Sequence, residues 1–456
     1  MELYSVVILL LAVVIAVSPV AAKMKIPYPV LLLVTGIAIG FLLPEFQHIT
    51  INSEIVFLFF LPPMLYDAAY HINFKEFKIN ITTIFSLGIT LVFLTVAGIA
   101  VIAHFCFPHL PWSLAFVLGA ILAPPDAIAA TSVTKGLGLP SRTVTVLEGE
   151  SLINDASALS AFKFATAAVV GSKFAPSQAI SFFLIALVGG FVLGWVLSRL
   201  FIWAAKKHWF DTNVIVSLNI MLPFVAYLLA EEFNISGVIA AVTVGLMVSA
   251  NKEQFPVKAV IQSKSTLDTI VFILTGVVFT LIGIEFPRII SEIPSQKILS
   301  LIGAAFLIFF AAMLIRMLVI FWHKFRINRK YNKIKSRYDL MDEELKAAFQ
   351  QKIEHKFSKH RHRDSNNTQT FKKRLQNLEQ LLLSNREAFI IGWSGMRGIV
   401  SMACALSLPL VWSNNATFPL RNTVLFLTVS VVILMLVIQG LGLPLLLKLI
   451  KRKTKL

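Results

Sequence analysis

Cysteine is nearly absent: Cys106 and Cys404 are the two in 456 residues. Both fall in or beside apolar runs, so no disulfide framework organises the chain. Charge is scarce too, at 14% of residues against 57% apolar, with a mean hydropathy of +0.79. That shortage excludes a soluble globular protein, whose core needs no repeated apolar runs of membrane length. Acids are scarcest, 24 against 41 Lys and Arg, giving a formal net charge of +17. An excess of that size suits nucleic acid, but position excludes it as a partner. Most basic residues stand at the ends of apolar runs or in one polar segment, as the positive-inside rule requires. The first apolar run begins Met-Glu without the basic region of a secretory signal, so it reads as a span.

What is present is an all-α polytopic membrane protein. Apolar length and periodicity predict about 13 spans: 3–22, 28–44, 54–70, 79–107, 111–134, 143–170, 178–205, 212–231, 236–250, 265–286, 297–322, 387–410 and 421–449. With the N-terminus outside, eleven Lys and Arg fall in short inside loops and four outside. The basic tail, 450–456, then lies inside as well. The long polar segment 323–386 becomes a basic cytoplasmic insert, helical where Met341, Leu345, Phe349, Ile353 and Phe357 recur every four residues. Leu375, Leu378 and Leu382 suggest a second helix, beyond a loop at 365–370. Its histidines, His355, His360 and His362, have the chemistry to sense pH near neutrality or bind a metal, but standing among Lys and Arg they read better as ordinary solvated surface. Its basic face suits anionic lipid headgroups.

The chemistry concentrates in three spans. Glu150 and Asp155 lie within the apolar sixth span, and Asp155 is 13 residues past the boundary charge Arg142. That is ~20 Å along a helix, near the middle of a hydrocarbon layer ~30 Å thick. A charge there costs at least ~2.5 kcal/mol and usually marks an ion or proton path. Ser151 and Asp155 share one helix face, and Glu150 and Asn154 the adjoining one. A hydroxyl, an amide and a carboxylate offer hard oxygens to an alkali cation, and the carboxylate alternatively holds a proton. One site that takes either, but not both, is the minimum requirement for exchange. In the fifth span, Pro124-Pro125-Asp126 predicts a helix break at membrane depth, with freed carbonyls and a second carboxylate. In the twelfth, Gly392, Gly395 and Gly398 surround Arg397 and predict another interruption. Arg397 needs a buried counter-charge, and Glu150 is the expected one. Interrupted spans seven apart suit two inverted repeats, spans one to six and eight to thirteen.

Gly149-Glu-Ser-Leu-Ile-Asn-Asp155, Pro124-Pro-Asp126-Ala and Gly395-Met-Arg397-Gly398 resemble the motifs of the monovalent cation–proton antiporter family, which includes NhaP-type antiporters and sodium/proton exchangers. The resemblance extends over nearly all spans, with Leu61-Pro-Pro63, Asp67 and Gly276. It implies an NhaA-like inverted-repeat fold occupying 1–449, with broken helices crossing in a core domain (79–170 and 297–449). Beside the core would lie a dimerisation or scaffold domain (1–70 and 178–286). It implies that Asp155 binds the cation or proton, that Asp126 and Ser151 help hold Na+, and that Asn154 is the neutral member of an Asn-Asp pair. Glu150 and Arg397 would form a structural ion pair. Pro125-Asp126-Ala127 departs from the family's usual Thr-Asp-Pro, which removes one hydroxyl from the expected coordination.

The expected function is electroneutral, one-for-one exchange of Na+, or Li+ or K+, for H+ by alternating access, serving pH and sodium homeostasis. A K+-selective antiporter is the alternative. No cofactor is expected beyond the transported ions, and no enzymatic activity. The expected setting is a plasma membrane, of the bacterial inner type, holding a homodimer. Asp67 is a candidate for attracting cations to an inward funnel, and equally for an ordinary membrane-edge acid. Lys163, two turns outward of Asp155 on its face, either tunes that carboxylate or is a satisfied pair. An intramembrane aspartyl protease would use Tyr66-Asp67, but its other half, Gly-x-Gly-Asp, is missing. A passive channel would not drive sodium uphill from a pH gradient.

Overall fold

The computed structural model describes residues 3–24, 26–43, 45–46, 53–126, 141–169, 176–207, 210–339, 379, 381–408 and 420–453. Those residues form helices joined by short connections. In chain order they are α1 (Leu3–Met24), α2 (Tyr28–Leu42), α3 (Ser53–His71), α4 (Phe74–Cys106), α5 (Trp112–Leu122), α6 (Ser141–Val169) and α7 (Pro176–Lys206). Then come α8 (Thr212–Glu232), α9 (Gly237–Ala250), α10 (Val257–Ser291), α11 (Ser295–Asp339), α12 (Asn385–Trp393), α13 (Ile399–Leu406) and α14 (Arg421–Lys453). Seven of the described helices are long and apolar enough to cross a bilayer, and α2, α5 and α9 are shorter apolar helices. Outward-facing Ile8, Phe105, Leu200 and Leu318 are all exposed, an arrangement that lipid contact explains and water does not.

Local chemistry starts these helices. Pro27, Pro111 and Pro256 directly precede α2, α5 and α10, where a missing backbone donor costs no helical bond. Side chains of Asn73, Asp211 and Ser236 accept from first-turn N–H groups of α4, α8 and α9. Ser384 and Glu387 form a reciprocal capping box at α12. Helix ends run past several apolar windows. The tenth span begins at Val257 rather than 265, and the eleventh continues to Asp339 rather than 322. Hydropathy marks where lipid ends, whereas backbone hydrogen bonding carries the helix on into polar sequence. The polar insert therefore opens as a continuation of α11. Its expected helix at Met341–Phe357, its histidines, its 365–370 loop and Leu375 and Leu378 lie outside the described residues, as does the tail beyond Lys453.

Packing sorts the helices into two groups. In one, α4 lies along α5, α6 and α11, and α11 packs on α12 and α14. In the other, α2 lies along α10, and α9 packs on α3, α7 and α8, with α1 against α2 and α10. The tightest seam is α2 on α10. A Cβ on Gly36 would stand 2.4 Å from Thr280 O, and one on Gly283 would stand 2.5 Å from Leu33 O. Gly36 and Gly40 thus act as the small-xxx-small stripe that lets membrane helices touch by backbone. The groups meet where α3, α9 and α10 face α6, α13 and α14.

Candidate ion-binding site

Helix breaks stand at both expected places, although residues 127–140, beyond the first, lie outside the described residues. α5 stops at Leu122 and residues 123–126 are not helical; α12 stops at Trp393 and α13 restarts at Ile399. Pro62 and Pro63, by contrast, lie inside an unbroken α3, so two prolines alone do not break a helix. The difference is what receives the liberated backbone groups. At the α5 break, Asp126 N–H donates to Met396 O at 2.6 Å, Arg397 Nε donates to Leu122 O, and Ser151 Oγ donates to Pro125 O at 2.6 Å. A break in lipid persists only where such partners exist.

The two interruptions cross and complement each other electrically. The Asp126 carboxylate accepts from Ile399 N–H at 3.1 Å, at the positive end of α13. The Arg397 guanidinium, buried, sits on the carbonyl end of α5, and its Nη1 also donates to Gly395 O at 3.3 Å. Two glycines make the approach possible. A Cβ on Gly398 would lie 1.8 Å from Asp126 Oδ2, and one on Gly395 would lie 2.2 Å from Arg316 Cδ.

Ser151 and Asp155 meet this crossing from α6 and Asn154 lies on the adjoining face, all buried. Asp155 is close enough to Asp126 for the two carboxylates to repel, and Cys404 on α13 lies within electrostatic reach of Asp155. Among the described residues, Asp155 Oδ1 is buried with no hydrogen-bond partner. A buried oxygen left unsatisfied costs about 1–3 kcal/mol. Oxygens of Asp155, Asp126 and Ser151 form a hard donor set suited to an alkali cation or, on a carboxylate, a proton.

The expected Glu150–Arg397 pair is not formed. Glu150 is held by Arg316 of α11, with Nη1 to Oε1 at 2.6 Å and Nη2 to Oε2 at 3.0 Å, both side chains almost wholly buried. Arg316 also donates twice to Ile391 O, at 3.2 and 3.1 Å. Asn154 completes the cluster by donating Nδ2 to Glu150 Oε1 at 3.0 Å. Arg397 instead spends its donors on the broken backbone. Arg316 went unnoticed in the sequence, although a lone Arg between Ile315 and Met317 in an apolar run carries the same signal as Arg397. Lys163 pairs with Glu231 of α8 at 2.5 Å and stands over the Tyr227 ring, the satisfied-pair arrangement. Asp67 packs beside His71 at the end of α3.

Crossed, interrupted helices beside a buried carboxylate define a broken-helix membrane transporter architecture. Residues 8–449 match the sodium/hydrogen exchanger transmembrane family, and the chain belongs to it. It is similar to the sodium, potassium, lithium and rubidium/H+ antiporter of Bacillus subtilis, 32% identical over 459 residues. That match takes in 98% of this chain but 62% of the relative's length; the Bacillus pumilus counterpart is likewise matched over 61% of its own. The Na+/H+ antiporter NhaH of Halobacillus dabanensis is 26% identical, over 97% of this chain and 96% of NhaH. Among solved structures, the sodium proton antiporter MjNhaP1 of Methanocaldococcus jannaschii superposes with a TM-score of 0.66. It is 18% identical, with 96% of each chain covered, which shows the shared fold.

Proposed function

We propose that the chain is a secondary-active antiporter that exchanges Na+, or Li+ or K+, for H+ at Asp155, one for one and without net charge movement. The observation that carries this reading is the buried, unpartnered Oδ1 of Asp155 beside the helix crossing. Glu150 is neutralised by Arg316, and Asp126 rests on the positive end of α13. Asp155 is therefore the acid whose charge must be cancelled by cargo. A cation or a proton cancels it equally, and each excludes the other. Asn154 holds no second proton, so one elementary charge moves each way.

Loading lets the group built on α4–α6 and α11–α14 move past the group built on α1–α3 and α7–α10, which act as core and scaffold. An empty, charged site is held back by its desolvation cost. The basic inside loops support an N-terminus outside and a C-terminus in the cytoplasm of a plasma membrane. The family resemblance supports a homodimer formed through the scaffold group. pH and sodium homeostasis is the physiological role this exchange would serve.

The test is reconstitution with a trapped pH dye, adding Na+, K+ and Li+ in turn. Each accepted cation draws protons out to the side on which it is added, and clamping the membrane potential at different values leaves the rate unchanged. Asp155→Asn abolishes the signal in a protein that remains monodisperse and helical. Sodium-dependent proton movement surviving in that variant, or a strong response to potential, overturns the reading.

A further inference from the structure

A second group of ligating side chains stands away from the crossing, at the end of α3. Asp67 and His71 are four residues apart and so share a helix face. Asp268 reaches the same point from α10. The imidazole lies between the two acids, with Nδ1 at 3.1 Å from Asp67 Oδ1 and Nε2 at 3.2 Å from Asp268 Oδ1. One ligand atom from each residue can be chosen so that all lie within 4.8 Å of one another.

Proximity is not matched by hydrogen bonding. His71 Nδ1 is engaged by the Asp67 backbone carbonyl at 2.9 Å. Asp67 Oδ1 and His71 Nε2 are both buried without a hydrogen-bond partner among the described residues, and Asp67 is 7% exposed. An ordinary salt-bridge triad would satisfy these atoms by donating the imidazole N–H along them. Here Asp67 Oδ1 and His71 Nε2 carry no such bond, although each lies within ion-pair distance of a neighbour, Oδ1 beside Nδ1 and Nε2 beside Asp268 Oδ1. Glu148 of α6 stands within electrostatic reach of His71 and adds negative charge from the facing helix group. Lys252 lies within reach of Asp67 but commits its ammonium to Tyr70 O and the Tyr70 ring.

We propose that Asp67, His71 and Asp268 form a binding site for a divalent first-row transition-metal ion, joining α3 to α10. Bonds of about 2.0–2.2 Å to nitrogen and oxygen are typical of Zn2+. In a tetrahedral site they set ligand atoms roughly 3.4 Å apart, close to the 3.2 Å between Nε2 and Asp268 Oδ1. An imidazole among carboxylates selects such ions over Mg2+ and Ca2+, which prefer oxygen alone. A water completes the shell on the open side, where Asp268 is 56% exposed. The ion replaces whatever proton the imidazole carries on that nitrogen, and no other bond changes.

The test uses the full chain in detergent with any affinity tag removed, dialysed to equilibrium against Zn2+ and assayed for bound metal per protein. Wild type binds one equivalent more than either Asp268→Asn or His71→Gln, whatever other histidines contribute. Asp268→His, which exchanges one zinc ligand for another, retains that equivalent, and excess Mg2+ does not displace it. Because Asp268 is exposed, its substitutions leave the fold intact. Equal metal content in wild type, Asp268→Asn and His71→Gln overturns the proposal, as does full displacement by Mg2+. Neither result touches the transport reading, since the measurement requires no ion flux.

Discussion

The Glu150–Arg316 pair offers the most quantitative check on how the crossing is held. Arg316→Met keeps the volume of the side chain and removes its charge. Glu150, whose side chain is 0% exposed, then loses both guanidinium bonds, at 2.6 and 3.0 Å. Breaking a buried pair by deleting one partner costs about 3–5 kcal/mol. Ile391 O loses its two donors from the same side chain, adding about 1 kcal/mol. The single variant should therefore be destabilised by roughly 4–6 kcal/mol. Glu150→Gln leaves the opposite charge stranded and should cost a similar ~3–5 kcal/mol. The double variant strands neither charge, so its cost falls short of the two single costs added together by about 2–3 kcal/mol. Paired with Arg397→Met, Glu150→Gln should show a coupling well below that of the 150–316 pair, because the described residues show no bond between 150 and 397 and link them only through the field of Arg316. Equilibrium unfolding in mixed micelles, followed by tryptophan fluorescence, measures all of these. A coupling between residues 150 and 397 as large as that between 150 and 316 refutes the assignment.

Gly398→Ala should reduce exchange by on the order of 100-fold, the scale of a 1 Å misplacement at a reacting centre. Its Cβ would stand 1.8 Å from Asp126 Oδ2 and push the carboxylate off Ile399 N–H. Gly303→Ala, which meets no atom within 4 Å, is the control and should leave the vesicle proton flux unchanged. Lys163→Ala should alter stability by less than ~1 kcal/mol, since its pair with Glu231 is 43% and 39% exposed. The pH profile of exchange should stay put as well. A displaced profile would mean that Lys163 tunes Asp155 across two helical turns.

The parts of the site visible in the sequence are those with a local cause. Pro124-Pro125 removes donors at a known point in the chain, and three glycines around Arg397 leave the backbone bare, so both interruptions could be placed to within a few residues. Ser151, Asn154 and Asp155 fall together because helical spacing alone puts them on adjoining faces. Partners across the fold had no such cause. Glu150 is 166 residues from Arg316, and both buried arginines answered the need for a counter-charge equally well. The choice between them depends on which side chain reaches Glu150 across the fold, and Gly395 leaves room for that of Arg316, where a Cβ would stand 2.2 Å from its Cδ. Lys163 is open between two readings for a similar reason: its own helix points it toward Asp155, while Glu231, which satisfies it, approaches from a helix the sequence could not place beside it. The prolines of α3 show the limit from the other direction, because Pro62-Pro63 carries the same local signal and the helix runs on unbroken.

The distribution of charge bears directly on the proposed cycle. Arg316 and Arg397 perform different tasks that a single buried arginine could not combine. Arg316 cancels Glu150 and ties α6, α11 and α12 into one block through Ile391 O. Among the described residues Arg397 pairs with no carboxylate; it occupies the carbonyl end of α5, while Asp126 occupies the amide end of α13. Each broken helix is thus closed by a charge borrowed from the other, and the two can travel together without exposing a bare dipole to lipid. In the proposed cycle Asp155 then carries the negative charge that depends on cargo. Moving it uncompensated costs several kcal/mol, and even 2.7 kcal/mol suppresses a step about 100-fold. Tight coupling follows from that difference alone, with no separate gate to forbid the empty transit.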